Sequence, residues 1–563
     1  MEGANLETPL LLGAVCQSVD SAYDAAAHSE VYITISEEPI HTKLLVTSHK
    51  KGGDVAEEPT DGDDVVTSPQ MQQAISMFEN LPSLERPSSV DPFKNKTPVI
   101  SGLYEWLKTL LCLPVLVLRL ILMTLVMLVG LVGTKAALAG WRKQQAALPR
   151  WRRSLMGVTR LCARGVLFCF GFHWIKRTGQ PARREIAPIV VSNHVCFMDP
   201  IFYFFELFPS IVSSNSHESI PLVGTVIQAM QVIPVDRLSP DSRKNAAIEI
   251  IRKASCHDFP PVLLFPEGTT TNGRALISFK VGAFVPGLPV QPVVIRYPFV
   301  HFDPSWGDIS LMNLLFRMLT QVHNFMEVEY LPVMYPSLRE QSNPPEFAER
   351  VRFEMAKVLN VPETEHTHGD LMLSVKAQQL KMSASAAMMV EMGRVEKLLQ
   401  LSTKEVKEYL DKFAAMDPTH SGRVSMEQFM ESCDLQNCWF SKKIFHLFDK
   451  STPGSINFQE FVAVSASISK QKDFAKHVRS AFDACDLGKK GYMSHQELEQ
   501  CLRLSMPTIS SHKVKQWSSK LDSCGGKGIS WESFAVFLEH NPELLAIFML
   551  ATFHQSSQPP LSP

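Results

Sequence analysis

Apolar and polar positions divide this chain into stretches of different character. Residues 1–97 show little periodicity and are rich in Ser, Thr, Pro, Asp and Glu, which predicts a disordered acidic region. Thr109 to Thr134 is a run of 26 residues with one charge, Arg119. That is long enough to cross a hydrocarbon core of ~30 Å. Arg119 is expected to snorkel to the interface, and a re-entrant hairpin is the alternative to a true span. A second apolar stretch, Gly165–Trp174, is too short to cross and is expected in the interface or the core. The pattern thus predicts membrane-anchoring helices and a basic flank over 98–178.

Beyond this, short apolar strands near 188–192, 231–235, 262–266, 291–297 and 327–331 alternate with helical patterns such as Ser239–Ser255. That alternation predicts an α/β domain over 179–345 with a largely buried sheet. A helical linker follows over 346–390. Residues 391–540 are mostly helical, broken by polar loops that begin at Asp417, Asp449, Asp486 and Asp522. The regular spacing is internal repetition. The tail, 541–563, contains an apolar run, Leu544–Phe553, expected to act as a docking helix.

Charge refines this picture. The net charge of −2 gives no global pull toward nucleic acid. Residues 1–97 carry 16 acidic and six basic side chains, whereas 135–184 carry many Lys and Arg and no acid. By the positive-inside rule the basic flank lies in the cytosol. The 11 cysteines show no CxxC spacing, which predicts free thiols in a reducing compartment. Asn95-Lys96-Thr97 matches a glycosylation sequon, weakened by Pro98.

The chemistry concentrates in Asn193-His194-Val195-Cys196-Phe197-Met198-Asp199-Pro200, which follows the strand Ile189-Val190-Val191. Asp199-Pro200 reads as a helix start with Asp at the N-cap. A carboxylate beside an imidazole fixes its tautomer and raises its basicity, as a general base requires. A second segment, Phe265-Pro266-Glu267-Gly268-Thr269, closes the strand that begins at Val262. Gly268 suits positive φ or a close approach. Cys196 is a minor candidate for a covalent acyl-cysteine. The aromatic run Phe202–Phe208 offers one wall for an acyl chain, or ordinary helix core. The serine-hydrolase alternative lacks its G-x-S-x-G elbow.

With Val232-Ile233-Pro234-Val235-Asp236-Arg237 and Val290-Gln291-Pro292-Val293-Val294-Ile295, these blocks resemble, in order and spacing, the glycerolipid acyltransferase family. Asn193 and the run Glu267–Gly273 lean toward its lysophospholipid branch. The resemblance implies direct transfer of an acyl chain from acyl-CoA, a co-substrate rather than a cofactor, to a lysophospholipid. It implies His194 as base with Asp199, and Arg237 on acceptor phosphate. Glu267, Gly268, Thr269 and Pro292 would line the acceptor side, and Glu267 is expected to hold Arg237 or an acceptor hydroxyl. Lys280 and Arg296 are further phosphate candidates, for CoA. Among acceptors lysophosphatidylethanolamine is favoured, with lysophosphatidylcholine and others open.

The four polar loops resemble EF-hands, which need oxygen ligands at positions 1, 3, 5, 9 and 12 and Gly at 6. Asp449–Glu460 fits best, with Asp449, Ser451, Ser455, Asn457 and Glu460 as Ca²⁺ ligands, although Pro453 removes position 5. The others depart further: Gln428 replaces the final acid, Gly488 and Lys490 occupy ligand positions, and Asp522–Ser533 has no terminal acid. The expectation is an acyltransferase in the lipid bilayer of the endoplasmic reticulum and/or Golgi, its catalytic domain facing the cytosol. The rival reading is a calcium-responsive membrane adaptor with an inactive acyltransferase-like domain.

Overall fold

A computed structural model describes residues 72, 76, 88, 90–141, 146–214, 223–236, 239–382, 390–450, 453–522 and 528–556. These fall into two units. The first holds Arg86–Gln378 and Ala387–Leu398, and the second continues from Leu399. The helix Met392–Leu399 is tied to the first unit at its start. Its Met392 N–H donates to Asp370 at 3.0 Å, and Gly393 N–H donates to the Glu365 carbonyl at 2.9 Å.

The first unit is built on a seven-stranded sheet: β1 (Ile175–Thr178), β2 (Ile189–Ser192), β3 (Ser210–Ser214), β4 (Ile233–Val235), β5 (Val262–Leu264), β6 (Val290–Arg296) and β7 (Met326–Tyr330). The order is β1-β7-β6-β2-β5-β3-β4. Neighbours pair in parallel except β6 with β7. Strands β1 and β3 lie outside the sequence-predicted set, because Ile175-Lys-Arg-Thr and Ser210-Ile-Val-Ser-Ser carry too few apolar residues to stand out.

Helices cover both faces. In chain order they are α1 (Leu103–Leu111), α2 (Leu113–Leu138), α3 (Arg150–Cys169), α4 (Asp199–Glu206), α5 (Val223–Ala229), α6 (Pro240–Ser255), α7 (Leu311–Leu319), α8 (Leu338–Ser342) and α9 (Pro344–Leu359). Val190, Leu263 and Ile295 point to a core shared with α3, α4 and α7. Ile189, Val191, Val262 and Val294 point to a core shared with α6 and α9. Burial on both faces explains why these strands read as continuous apolar runs. Ser239 caps α6, accepting from Ser242 N–H at 3.2 Å, close to the expected start.

Among the described residues one helix, α2, is long and apolar enough to cross a membrane, at a mean hydropathy of 2.8. It packs antiparallel on α3. A Cβ on Gly130 would come within 3.2 Å of the Cys162 Cβ, tighter than an ordinary contact, so glycine favours this close approach. The hydroxyls of Thr134 and Thr159 meet across the seam at 3.0 Å. Arg119 does not snorkel. Its guanidinium is buried and donates to the Leu319 carbonyl at 2.8 Å, the Val322 carbonyl at 3.0 Å and the Gln321 carbonyl. It thereby satisfies carbonyls at and just beyond the C-terminus of α7, where a cation is favoured. The α3 arginines are likewise engaged: Arg160 donates to the Phe205 and Glu206 carbonyls and Arg164 to those of Phe172 and His173.

Residues 90–97 are not a disordered end. They form a strap whose Phe93 and Asn95 are buried. Asn95 gives its amide hydrogens to the Asp303 and Ser305 carbonyls at 3.1 and 2.7 Å. That occupancy removes it as a glycosylation acceptor.

The second unit is helical. Two pairs of short antiparallel strands, Arg423–Ser425 with Ser455–Asn457 and Tyr492–Met493 with Ile529–Ser530, join its polar loops two by two. Each following helix is capped from inside its loop, by Ser425, Asn457, Ser494 and Ser530. The apolar run at 544–553 is no free docking helix. Leu544–Ala551 are buried within this unit, where a helix apolar on all sides belongs. Cys485 and Cys501 are joined by a disulfide, contrary to the expectation of thiols alone.

Candidate active site

Strands β5, β2 and β6 are adjacent and parallel, so their C-terminal ends share one edge. His194 leaves β2, Glu267 leaves β5 and Tyr297 leaves β6 at that edge, where open α/β sheets place their sites. Asn193 bolts two of these ends together. Its amide donates to the Ile295 carbonyl at 2.9 Å and its oxygen accepts from Ile295 N–H at 2.8 Å.

His194 Nδ1 lies 2.9 Å from Asp199 Oδ2. Asp199 is fully buried and does not act as an N-cap as the sequence suggested; α4 begins at Asp199 itself. Its carboxylate turns back and accepts from the N–H groups of Val195 at 2.8 Å and Cys196 at 3.0 Å. The Tyr297 hydroxyl donates to the other oxygen, Oδ1. An acceptor holding this many donors is an ionised carboxylate, so Nδ1 carries hydrogen and Nε2 presents its lone pair. The ring stacks on Phe265 with centroids 4.1 Å apart.

Glu267 is wholly buried and accepts the His194 N–H at 2.8 Å. One carboxyl oxygen thus holds the loop that carries His194, and among the described residues no hydrogen-bond donor meets the other, buried oxygen. Burial pushes the carboxyl up to about 8, against partial relief from the His194 and Ile277 N–H groups and the Thr271 hydroxyl. Gly268 turns the chain at φ 69°. Thr269 is buried, and Thr271 N–H donates to the His194 carbonyl at 2.8 Å. Pro292 sits inside β6, buried opposite Val191, away from the strand end that carries the site. Arg296 is committed to Glu329 at 2.9 Å and to the Val358 carbonyl at 2.6 Å, whereas Lys280 is exposed beside the turn. Arg237 lies outside the described residues. Cys196 is buried and its thiol is pushed well up by burial and by Asp199, which removes it as a nucleophile. Phe202, Tyr203, Phe204 and Phe208 are core.

An acyltransferase family model matches residues 175–296. Lysophospholipid acyltransferase LPEAT2 of Arabidopsis thaliana is 50% identical over 472 residues, covering 84% of this chain and 88% of its own. The chain belongs to the lysophospholipid acyltransferase family. Human lysophosphatidylcholine acyltransferase 2 is 34% identical, covering 73% of this chain and 76% of its own. A solved PlsC acyltransferase from Thermotoga maritima aligns at TM-score 0.33 and 18% identity, over 44% of this chain and 97% of that one.

In this acyltransferase the Glu267 carboxyl has a measurable consequence. Folded, it holds a proton up to about 8; its ordinary value is 4.5. Its contribution to stability is therefore complete below about 4.5 and lost as pH rises through about 8. Glu267→Gln keeps an acceptor for His194 N–H and cannot ionise. Thermal melts from pH 6 to 9 should fall less steeply for the variant, by at most about 1.4 kcal/mol per pH unit. Parallel slopes would show that the folded carboxyl is already ionised below that range and is not raised toward 8.

The polar loops of the second unit also have firm internal chemistry. In the loop at 486–497, the Lys490 ammonium lies 3.2 Å from Glu497, and Asp486 accepts the Gly491 N–H at 2.7 Å. Burial opposes ionisation of Glu497, but bonds from Ser494, Gly488 and Lys490 bring it down to about 2. In the loop at 449–460, Asn457 and Glu460 form a reciprocal capping box, bonding each other's N–H at 2.9 and 2.8 Å. Asp449 accepts from Gly454 N–H at 2.7 Å, and among the described residues no donor reaches its buried Oδ1. Ser451 lies outside the described residues.

Proposed function

We propose that this protein transfers an acyl chain from acyl-CoA to a lysophospholipid, lysophosphatidylethanolamine foremost, at the cytosolic face of the endoplasmic reticulum or Golgi membrane. The observation that carries the reading is the bond from His194 Nδ1 to the buried Asp199 carboxylate, which leaves Nε2 as the base. A thioester loses its thiolate readily, so the demanding step is removal of the proton from the attacking hydroxyl. His194 accepts that proton, and Asp199 stabilises the charged ring. Collapse of the tetrahedral adduct releases CoA thiolate, which the imidazolium can reprotonate. The names of the relatives, one a lysophospholipid and one a lysophosphatidylcholine acyltransferase, support the acceptor class. Arg237 is the proposed phosphate ligand, and α2 the proposed membrane anchor.

The deciding experiment supplies labelled acyl-CoA to membranes holding the protein, with a panel of lysophospholipids. Preferential labelling of phosphatidylethanolamine supports the reading. Preferential labelling of another headgroup changes the acceptor, and no transfer by folded protein ends it.

The second unit is proposed to be EF-hand-like. The loop at 449–460 fits Ca²⁺ in part: among the described residues no donor reaches the buried Asp449 Oδ1, and Ser451, Ser455, Asn457 and Glu460 are the other proposed ligands. Bound there, the ion would brace the two flanking helices. Pro453 supplies no side-chain oxygen, so affinity should be weak, with Kd on the order of 10⁻⁴ M. Calorimetric titration of the whole protein should show this site and lose it in Asp449→Ala. Identical titrations of the two would remove calcium from this loop.

A further inference from the structure

We propose that Tyr297 is a positioning residue that holds the Asp199 carboxylate and, through it, sets how strongly His194 holds a proton. This deepens the general-base reading and rests on it. Tyr297 is the first residue beyond β6 and lies in no motif block of the sequence. The Asn193–Ile295 bonds fix its height beside the catalytic loop. It is buried, its ring packs edge-on to Phe172 with centroids 5.8 Å apart, and its hydroxyl donates to Asp199 Oδ1.

The division of labour on Asp199 is informative. Oδ2 takes His194 and two backbone N–H groups, and Oδ1 takes the tyrosine. A donor on Oδ1 withdraws charge from the carboxylate and weakens its pull on the Nδ1 hydrogen. The imidazole is then neutral, and so a competent base, down to lower pH. The other titratable groups around this cluster are Cys196 and Tyr203 on the α4 side, Glu267 after β5, Asp303 in the loop after β6, and Tyr330 on β7. Burial raises Cys196, Tyr203, Glu267, Tyr297 and Tyr330, so each is uncharged near neutrality, leaving Asp303 as the other carboxylate in the set. The tyrosine hydroxyl is the one side-chain donor on Asp199 besides His194 among the described residues.

The test is the pH profile of kcat/KM for acyl transfer by Tyr297→Phe, which keeps the ring and its packing. The expected result is a shift of the acidic limb upward by about half a pH unit or more, with activity at the high-pH plateau falling less than at pH 6. A uniform loss with an unmoved limb would make Tyr297 merely structural and overturn the proposal, as would an unchanged profile. Asp199→Asn provides the second arm: adding Tyr297→Phe to it should produce no further shift, and an undiminished shift would overturn the proposal. His194→Ala separates the two failures. If it stays active, the base reading falls; if it is inactive while Tyr297→Phe leaves the limb in place, only the tyrosine proposal falls.

Discussion

His194→Ala should lower acyl transfer by roughly 10²–10⁴-fold, with the acceptor KM changed far less. The ring is the one titratable group at the end of β2 that is in part open to a ligand, with 18% of its side chain exposed, while Asp199 behind it is sealed. Its removal takes away the proposed proton acceptor and leaves the backbone largely in place, because Glu267 and Thr271 hold the His194 backbone, not the ring. Asp199→Asn should cost activity for a different reason. An amide cannot accept from His194, Val195, Cys196 and Tyr297 together without aiming its own N–H at a donor. That variant should therefore lose stability as well as rate. Initial rates with saturating acyl-CoA and thermal melts on the same preparations separate the two. An active His194→Ala protein would mean that the base lies elsewhere.

The second large effect concerns the strap. Removal of the chain through Thr97 should abolish most activity and lower the melting temperature, although a reading of 1–97 as disordered predicts no consequence. Three connections would break. Asn272, two residues before the turn to Arg274, gives its amide to the Asp91 and Lys94 carbonyls at 2.7 and 2.9 Å and its N–H to Pro92 at 2.7 Å. Asn95 holds the loop at 303–305. Buried Arg317 donates to the Thr97 carbonyl and would lose it. Each buried group left without a partner costs about 1–3 kcal/mol. The damage reaches the catalytic loop by a short route, since Thr271 and His194 are bonded and Trp306 N–H meets the Val195 carbonyl at 3.3 Å. Asn95→Ala is the finer probe, and should show a smaller loss of the same kind. Full activity in the truncated protein would show that the strap does not support the site.

The sequence by itself determined the parts of this protein that local pattern and residue chemistry control. The alternation of strands and helices over 185–340, the long apolar helix, the histidine–aspartate spacing and the glycine turn after β5 were all legible, because each is a short-range property. The spacing also put His194 beside Asp199, since only four residues separate the two and a short loop brings their side chains together.

Tertiary structure decided what depends on partners far along the chain. Tyr297 joins the site from 98 residues beyond Asp199, and nothing local to β6 marks it. Glu267 looked like a ligand group, and its burial against a backbone N–H emerges only once β5 and β2 pair. Arg119 looked like an interfacial charge, yet the carbonyls that hold it lie about 200 positions away. The strap failed in the same way: Asp, Pro, Lys, Asn and Thr read as unstructured when their hydrogen-bond partners are invisible, and only the fold supplies those partners.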